Sequence, residues 1–368
     1  MNSTLAAKDK QPRLDPSQDV PPQLAKLDVE RRTAYDQNLR FYQGQQWDGH
    51  PGKGERRVTL NYTKAFVKKT VAYLLHGRSV GVEPREKHSA EQVAIARNAE
   101  NVLRDLQALN DVDSIDYAAE VDAAVFGDGA FKITWSPDDQ APIISCPDVR
   151  ELWWWHDWRN PLELAGVAHM YRPGPALAAA TSDSPPAIAL AAAASRDGYV
   201  TEVWSPTTIE YWAGTSQLVA TEPNTWGKIP YVIFPNVRSS MSTPWGESDV
   251  VDLKEPAQEI NRGWTQLSRI MELSGNPVAV LEGVTDQDGV QIGPGEVWTL
   301  PKDAKAYLLE LLSKGGGEVH LAFLNRAQQH LHDVGESPRT AWGDNSRMLS
   351  GRALEMELDP LGKLIARK

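Results

Sequence analysis

An aromatic run with a histidine and an aspartate is the first segment whose residue types suggest chemistry: Trp153-Trp154-Trp155-His156-Asp157-Trp158. The chain has thirteen tryptophans, and carboxylates such as Asp157, Glu202 and Glu210 could supply the acid and base of a glycosidase, which needs two carboxyl groups around one bond. A Trp-rich carbohydrate-active enzyme is therefore one hypothesis. A buried strand that continues into a turn explains the same run without any chemistry.

Other candidate motifs lack the spacing that their chemistry requires. His330 and His332 are two residues apart, which on a helix turns them to different sides and excludes a shared metal. Gly127-Asp128-Gly129 lacks the alternating acidic ligands of a calcium loop. Gly52-Lys53-Gly54 lacks the spacing and the following hydroxyl residue of a phosphate-binding loop. With Cys146 as the single cysteine, a disulfide framework and a Cys-based zinc site are excluded. We therefore predict no catalytic residues, no metal and no cofactor, and expect a protein that is not an enzyme.

Composition favours an ordinary folded protein of the cytoplasm. Hydrophobic residues make up 41% of the 368 positions, enough for a substantial core. Met1–Val20 has no apolar segment of a signal peptide, and no stretch approaches the roughly 20 apolar residues of a membrane span. The formal net charge of −11 argues against a protein that grips DNA by neutralising phosphates. A conduit through which DNA slides has no such requirement.

The hydrophobic pattern predicts an α+β chain in which helical and strand-like blocks alternate. Residues 1–22 are polar and Pro-rich and predict a flexible leader. Ser89 with Gln92 predicts a capping box, and Asn61 or Thr63 is expected to cap the helix before it. Residues 176–195 are rich in alanine and proline, and either a short helix or an irregular loop fits them. Helices are predicted at 24–42, 63–76, from 89 and at 114–126, and short strands between 130 and 234.

The last third of the sequence carries the clearest pattern. Residues 247–274 predict one helix about 40 Å long, followed by a strand-like stretch at 277–312, a second helix at 317–335, a long loop at 336–349 and a helix from 350. Along the first helix, apolar residues recur at spacings of four and three and predict a single narrow stripe. The residues of this stripe are Leu253, Ala257, Ile260, Trp264, Leu267 and Met271. Such a stripe is either core packing within the chain or a seam between subunits.

The order of these parts resembles the portal proteins of tailed double-stranded DNA bacteriophages, the head-to-tail connector family. The resemblance covers about residue 30 to the end. It rests on six loose motifs in the right order. They are Tyr35–Trp47, Asn61-Tyr62 leading into Val71–Gly77, Phe126-Gly127-Asp128-Gly129-Ala130-Phe131, Gly246-Glu247-Ser248-Asp249-Val250, Asn276-Pro277 and Ser350-Gly351-Arg352-Ala353-Leu354.

The resemblance implies a portal-type α+β fold. It would have a mixed wing (23–245 and 350–368), a long-helix stem (246–274 and 314–335), a small β/α clip (275–313) and a channel loop between long helices (336–349). The helical crown of the family is short or absent. About 12 copies would form a closed ring around a DNA channel at one capsid vertex. The implied location is the virion, after assembly in the host cytoplasm. The implied partners are passing double-stranded DNA without sequence specificity, the terminase large subunit, head-completion or adaptor proteins, and capsid and scaffold proteins, with no membrane.

The resemblance also selects candidate residues in the channel loop. They are Ser337, Arg339, Trp342, Asp344, Asn345 and Arg347. Arg339 and Arg347 either touch DNA phosphates or are solvated loop charges, and Trp342 is expected to be a packing anchor rather than a stacking partner for DNA. No phosphate-binding loop occurs, so the packaging motor would be a separate protein. Another head–tail connector protein remains an alternative within the same class.

Overall fold

A computed structural model of the chain describes residues 14–15, 18–53, 55–76, 80–136, 139–157, 160, 163–173, 185–193, 198–238, 245–275, 279–283, 303, 305–308, 316–343 and 350–368. Its fold is α+β, as the sequence predicts. The helices are α1 (Val29–Tyr42), α2 (Tyr62–Leu75), α3 (Ala90–Asn110), α4 (Val112–Phe126), α5 (Pro185–Ala193), α6 (Val250–Gly275), α7 (Gly316–Val334) and α8 (Gly351–Arg367). The strands are β1 (Asp128–Ser136), β2 (Ala141–Ser145), β3 (Leu152–His156), β4 (Leu164–Tyr171), β5 (Val200–Trp204), β6 (Thr208–Ala213), β7 (Gln217–Pro223), β8 (Tyr231–Pro235), β9 (Ala279–Glu282) and β10 (Lys305–Leu308).

The predicted polar caps lie where these helices begin. The Asn61 side chain accepts from the Lys64 amide at 3.1 Å at the start of α2, which selects Asn61 over Thr63. Ser89 Oγ accepts from the Gln92 amide at 3.4 Å at the start of α3. Each cap satisfies an amide that has no partner within its helix. Local side-chain chemistry therefore determines these helix starts.

Two antiparallel sheets face each other in the centre of the fold. One is a meander in the order β3-β4-β5-β6-β7, and the other has the order β2-β1-β8. A buried ion pair joins them, because Lys132 Nζ on β1 lies 2.8 Å from Glu202 Oε2 on β5. Burial favours the neutral carboxyl, but Lys132 and the Tyr171 hydroxyl overcome it and hold the pKa of Glu202 at about 2. The pair therefore fixes one sheet against the other.

The free edge of β2 carries a side-chain cap. Asn110, the last residue of α3, accepts a hydrogen bond from the Ile144 amide at 2.8 Å and donates one to the Pro142 carbonyl at 3.1 Å. Both groups belong to the edge of β2 that pairs with no other strand among the described residues. One asparagine therefore takes the hydrogen-bonding place of a neighbouring strand at this edge.

The helix predicted at 24–42 is divided in two, and its first part begins inside the predicted leader of residues 1–22. Pro21–Lys26 form a 3-10 helix, and α1 begins only at Val29. Leu24 and Leu27 are buried against Trp153 and other side chains on the outer face of the five-stranded sheet. The two prolines at the start of the 3-10 helix restrict the backbone, and the apolar residues behind them cover a sheet face that would otherwise be exposed. Residues 1–13 and 16–17 lie outside the described residues.

The main core joins the helices to both sheets. It combines buried residues of α1, α2, α4 and the first turns of α6 with residues of β1, β3, β4, β5 and β8. The predicted aromatic run lies here, with Trp154 facing this core and Trp153 facing the opposite side of the sheet. A buried strand therefore accounts for the described part of the run. Trp158 lies outside the described residues.

Candidate functional site: the junction and the helix pair

Two of the sequence motifs, Phe126–Phe131 and Gly246–Val250, meet where α6 leaves the sheets. A Cβ atom on Gly127 would lie 2.5 Å from the Gly246 carbonyl oxygen, and one on Gly246 would lie 2.0 Å from the Gly127 oxygen. Gly127 also has a φ of +103°, which disfavours other residues. Only glycine at both positions allows this crossing. We call the contact between residues 124–128 and 246–249 the junction.

The junction joins the end of α4 to the beginning of α6. Ser248 Oγ donates to the Val125 carbonyl at 2.6 Å and accepts from the Val250 amide at 3.1 Å. The Asp249 amide donates to the Ala124 carbonyl at 3.0 Å. The last carbonyls of one helix thus find their partners in the segment that starts the next. Because both helix ends depend on the same contacts, the direction of α6 is tied to α4.

Asp128 connects the junction to α1. Its Oδ1 accepts from the Gly246 amide at 2.9 Å, and its Oδ2 accepts from the Tyr35 hydroxyl. Arg31 in turn donates to the Tyr35 oxygen at 3.1 Å, and its guanidinium lies 4.3 Å and 4.5 Å from the ring centroids of Trp154 and Trp245. Burial raises the pKa of Asp128 to about 6, against the lowering effect of these donors. Asp128 is 1% exposed, so these contacts hold the junction against α1.

Lys368 closes the junction from the other side. Its ammonium donates to Asp249 Oδ1 and Oδ2 at 2.9 Å and 2.7 Å and also to Asn236 Oδ1. Asn236 donates to the Glu247 carbonyl at 2.8 Å and to Asp249 Oδ1 at 2.8 Å. Sequence reasoning missed these contacts, since Lys368 lies 132 residues from Asn236 and neither of these two residues belongs to a motif.

Helices α6 and α7 form an antiparallel pair. Leu331, near the end of α7, packs with Leu253 and Ile260 near the start of α6. In the middle, a Cβ on Gly263 would lie 2.7 Å from Leu324 Cδ2, so glycine permits the close approach. The antiparallel strands β9 and β10 lie between the two helices in the chain. The rest of the predicted clip, including residues 284–302, lies outside the described residues apart from Asp303 and Lys305–Leu308.

The predicted stripe on α6 divides into a buried part and an exposed part. Leu253, Ala257, Ile260 and Leu267 are buried within the chain. Trp264 and Met271, by contrast, remain 38% and 64% exposed. Core packing thus accounts for most of the stripe, but Trp264 and Met271 towards the far end of α6 remain partly exposed.

Exposed apolar residues of α7 lie beside this uncovered part. Phe323 is 52% exposed and its Cε1 atom would lie 3.8 Å from a Cβ on Gly263, the neighbour of Trp264. Val319, one turn earlier on α7, is 70% exposed. In an antiparallel pair, this turn of α7 lies opposite the last turns of α6. We call Trp264, Met271, Val319 and Phe323 the distal patch.

The first half of the predicted channel loop is packed rather than projecting. Arg339–Trp342 form a 3-10 helix, and the Trp342 ring lies 4.7 Å from the Phe66 ring of α2, centroid to centroid. Trp342 Nε1 donates to Ser337 Oγ at 2.9 Å, and Ser337 is buried. The expectation that Trp342 anchors the loop agrees with these contacts. The Arg339 side chain is exposed, whereas Asp344, Asn345 and Arg347 lie outside the described residues.

The two glutamates of the carbohydrate-enzyme hypothesis, Glu202 and Glu210, do not form a pair. Strand register places Glu202 opposite Tyr211 and Glu210 opposite Val203, so the two glutamates point to opposite faces of the sheet. Glu202 is bound to Lys132, and Glu210 accepts from Trp212 Nε1 at 3.0 Å. Within the described residues, no three His, Cys, Asp or Glu side chains come together as a metal site.

Comparison with protein-family models and with curated proteins gives no match. None of the helices in the described part of the chain combines the length and the apolar character that a bilayer span requires. The candidate site therefore consists of the junction, the α6–α7 pair with its distal patch, and the anchored 3-10 helix at Arg339–Trp342.

Proposed function

We propose that this chain is one subunit of the portal ring of a tailed double-stranded DNA bacteriophage. The ring would stand at one capsid vertex and conduct DNA during genome packaging, retention and ejection. Its outer surfaces would dock the terminase motor, head-completion proteins, and capsid and scaffold proteins. The proposal takes the α6–α7 pair as the stem, β9 and β10 as part of the clip, and the two sheets with α1–α5 and α8 as the wing.

The distal patch is the observation that carries the proposal. A closed ring needs contacts in which one face of a subunit meets a different face of its neighbour. Apolar side chains on a two-helix projection, beyond the reach of the chain's own core, suit such a contact. Aromatic and methionine side chains are also enriched at the centres of protein interfaces. The meeting of two motifs at the junction adds support, since it gives a stem helix a fixed point of departure.

The first experiment measures the mass and symmetry of the purified protein. Light scattering should give a particle of about a dozen subunits, and electron microscopy should show closed rings. A monodisperse monomer at micromolar concentration, with no ring under packaging-buffer conditions, would contradict the proposal.

Substitutions in the distal patch test the interface itself. Trp264→Glu combined with Met271→Glu should abolish rings, because the charges would be buried against a neighbour without partners. Met271→Glu alone should leave the thermal stability of the monomer unchanged because Met271 is 64% exposed, whereas Trp264→Glu should lower it because Trp264 is only 38% exposed. Trp226→Glu is the matched control, because Trp226 is 46% exposed in the turn before β8, away from the helix pair. If rings form equally well in the unmodified protein, in the distal-patch variant and in the control, the distal patch is not the interface.

A loop exchange separates the DNA channel from ring assembly. Only residues 344–349 should be replaced by a Gly-Ser linker, because Trp342 in the preceding segment packs against Phe66 of α2 and His332 of α7. The expected result is intact rings with impaired DNA packaging or retention. Normal packaging by the exchanged protein would remove the loop from the mechanism.

Another head–tail connector protein is the second candidate within the same class. It would also form a ring, so mass alone does not separate the two. Binding of the terminase large subunit does, because the motor docks on the portal during packaging. A ring that completes filled heads without engaging the motor would favour the connector.

A further inference from the structure

Helix α8 is held in place by few apolar contacts. Of its 17 residues, only Leu361 is buried. A cleft of about 190 Å³ separates Leu364 and Arg367 of α8 from Phe66, Val67 and Leu253. A helix with so little packing is expected to open locally at low free-energy cost. Polar contacts must therefore contribute much of what keeps α8 in its position.

Those polar contacts are concentrated in the last two residues. The Lys368 side chain is only 3% exposed and its ammonium contacts three oxygens, two of Asp249 and one of Asn236. Arg367 pairs with Glu336, just beyond the end of α7, but both side chains are about half exposed and the pair contributes little. The contact of Lys368 with Asp249 is therefore the stronger of the two polar contacts.

The partners of Lys368 are themselves part of the junction. The Asp249 backbone amide caps α4. The Asn236 side chain donates to the Glu247 carbonyl, and its backbone amide donates to the Gly127 carbonyl at 2.7 Å. We propose that Lys368 is a clasp by which α8 braces the first turn of α6 against the end of α4. When the clasp is closed, α6 leaves the sheets in one fixed direction. When it opens, α8 and the start of α6 are released together.

The clasp goes beyond the proposed function and does not require it. In a portal ring, its consequence would be a link between the wing helix α8 and the direction of the stem. The segment between Gly343 and Ser350 joins the anchored 3-10 helix to α8, so release of α8 would free one end of that segment. This consequence rests on the proposed function, whereas the clasp can be tested on the protein in any oligomeric state.

Hydrogen–deuterium exchange on the full chain tests the clasp. In Lys368→Met the amides of residues 354–367 and the Asp249 amide should exchange about tenfold faster or more, because a buried charge loses its partner. Strand β5 should exchange as in the unmodified protein. Lys363→Met is the matched control on the same helix, since Lys363 is 74% exposed and pairs only with Asp359 among the described contacts. It should leave exchange unchanged.

A double variant distinguishes a clasp from a general loss of stability. Asp249→Asn should also accelerate exchange in α8, and the combination with Lys368→Met should be no faster than the faster single variant, because both remove the same interaction. Additive effects, uniform acceleration that includes β5, or unchanged exchange in Lys368→Met would each overturn the proposal. Electron microscopy of the same preparations reports on rings separately, so a missing ring with the expected exchange pattern leaves the clasp standing.

Discussion

Gly127 and Gly246 bring two backbone segments closer than any side chain allows. Gly127→Ala would combine an unfavourable positive φ with a contact of 2.5 Å to a backbone oxygen that has no freedom to rotate away. We expect a loss of about 3 kcal/mol or more in the free energy of unfolding, measured by urea denaturation.

Gly227→Ala provides the comparison for that substitution. Gly227 has a φ of +62°, but nothing lies within 4 Å of a Cβ there. Gly227→Ala should lower the free energy of unfolding only by the cost of a positive φ in alanine, about 1 kcal/mol. Equal losses in the two variants would mean that the close crossing at the junction is not the cause.

Asp122 provides a pH dependence at the residue scale. Burial, together with the nearby Asp148 carboxylate, raises its pKa to about 7 in spite of Arg150. The pKa of Asp122 in the folded state lies above its unfolded value of about 4. The protonated carboxyl of Asp122 therefore contributes stability that is fully present below pH 4 and is lost as the pH rises through 7. The free energy of unfolding should therefore fall by about 2 kcal/mol between pH 5 and pH 8.

Asp122→Asn tests this assignment by urea denaturation at the two pH values. The variant should lose most of the fall between pH 5 and pH 8, since asparagine does not ionise. Asp128, whose pKa is raised to about 6, contributes in the same direction and should leave a smaller residual slope. A variant with the full slope of the unmodified protein would assign the dependence to other groups.

At the scale of elements, Gly263 sets the spacing of the α6–α7 pair. Gly263→Leu would place a side chain where Leu324 Cδ2 already lies, 2.7 Å from the first added carbon. Either the Leu324 side chain must move aside or the helices must separate, and amides of α7 should then exchange faster in deuterated solvent. Gly362→Ala in α8 is the control, because nothing lies within 4 Å of a Cβ at that position. Unchanged exchange in Gly263→Leu would show that the pair is held from elsewhere.

The sequence predicted the secondary-structure elements better than the contacts between them. Caps such as Asn61 and Ser89 and the long periodic stripe of α6 act through neighbours in the chain, so their positions could be predicted. The division of the helix predicted at 24–42 was not foreseen, because the burial of Leu24 depends on strands more than a hundred residues away. The same reason hid the Lys132–Glu202 and Lys368–Asp249 pairs. Of the candidate site, the stripe and the Trp342 anchor were predictable, but the exposure of Trp264 and Met271 was not.

At the scale of the whole molecule, the net charge of −11 predicts weak binding to DNA. In the proposed portal, DNA must be able to slide through the channel, which tight binding to its phosphates would prevent. Fluorescence anisotropy with a random 30-base-pair duplex should give a dissociation constant weaker than about 100 µM near physiological salt. Tight binding that weakens steeply between 50 mM and 200 mM salt would instead indicate a protein that grips phosphates.

The asparagine at the end of α3 bears on the aggregation of this chain. An unpaired strand edge is a template on which another chain can add, and a protein that accumulates before it assembles is exposed to that risk. By occupying the Pro142 carbonyl and the Ile144 amide, Asn110 denies this edge of β2 to a second molecule. If the chain is the proposed portal subunit, this cap should lower the tendency of chains that have not yet joined a ring to add strands at β2.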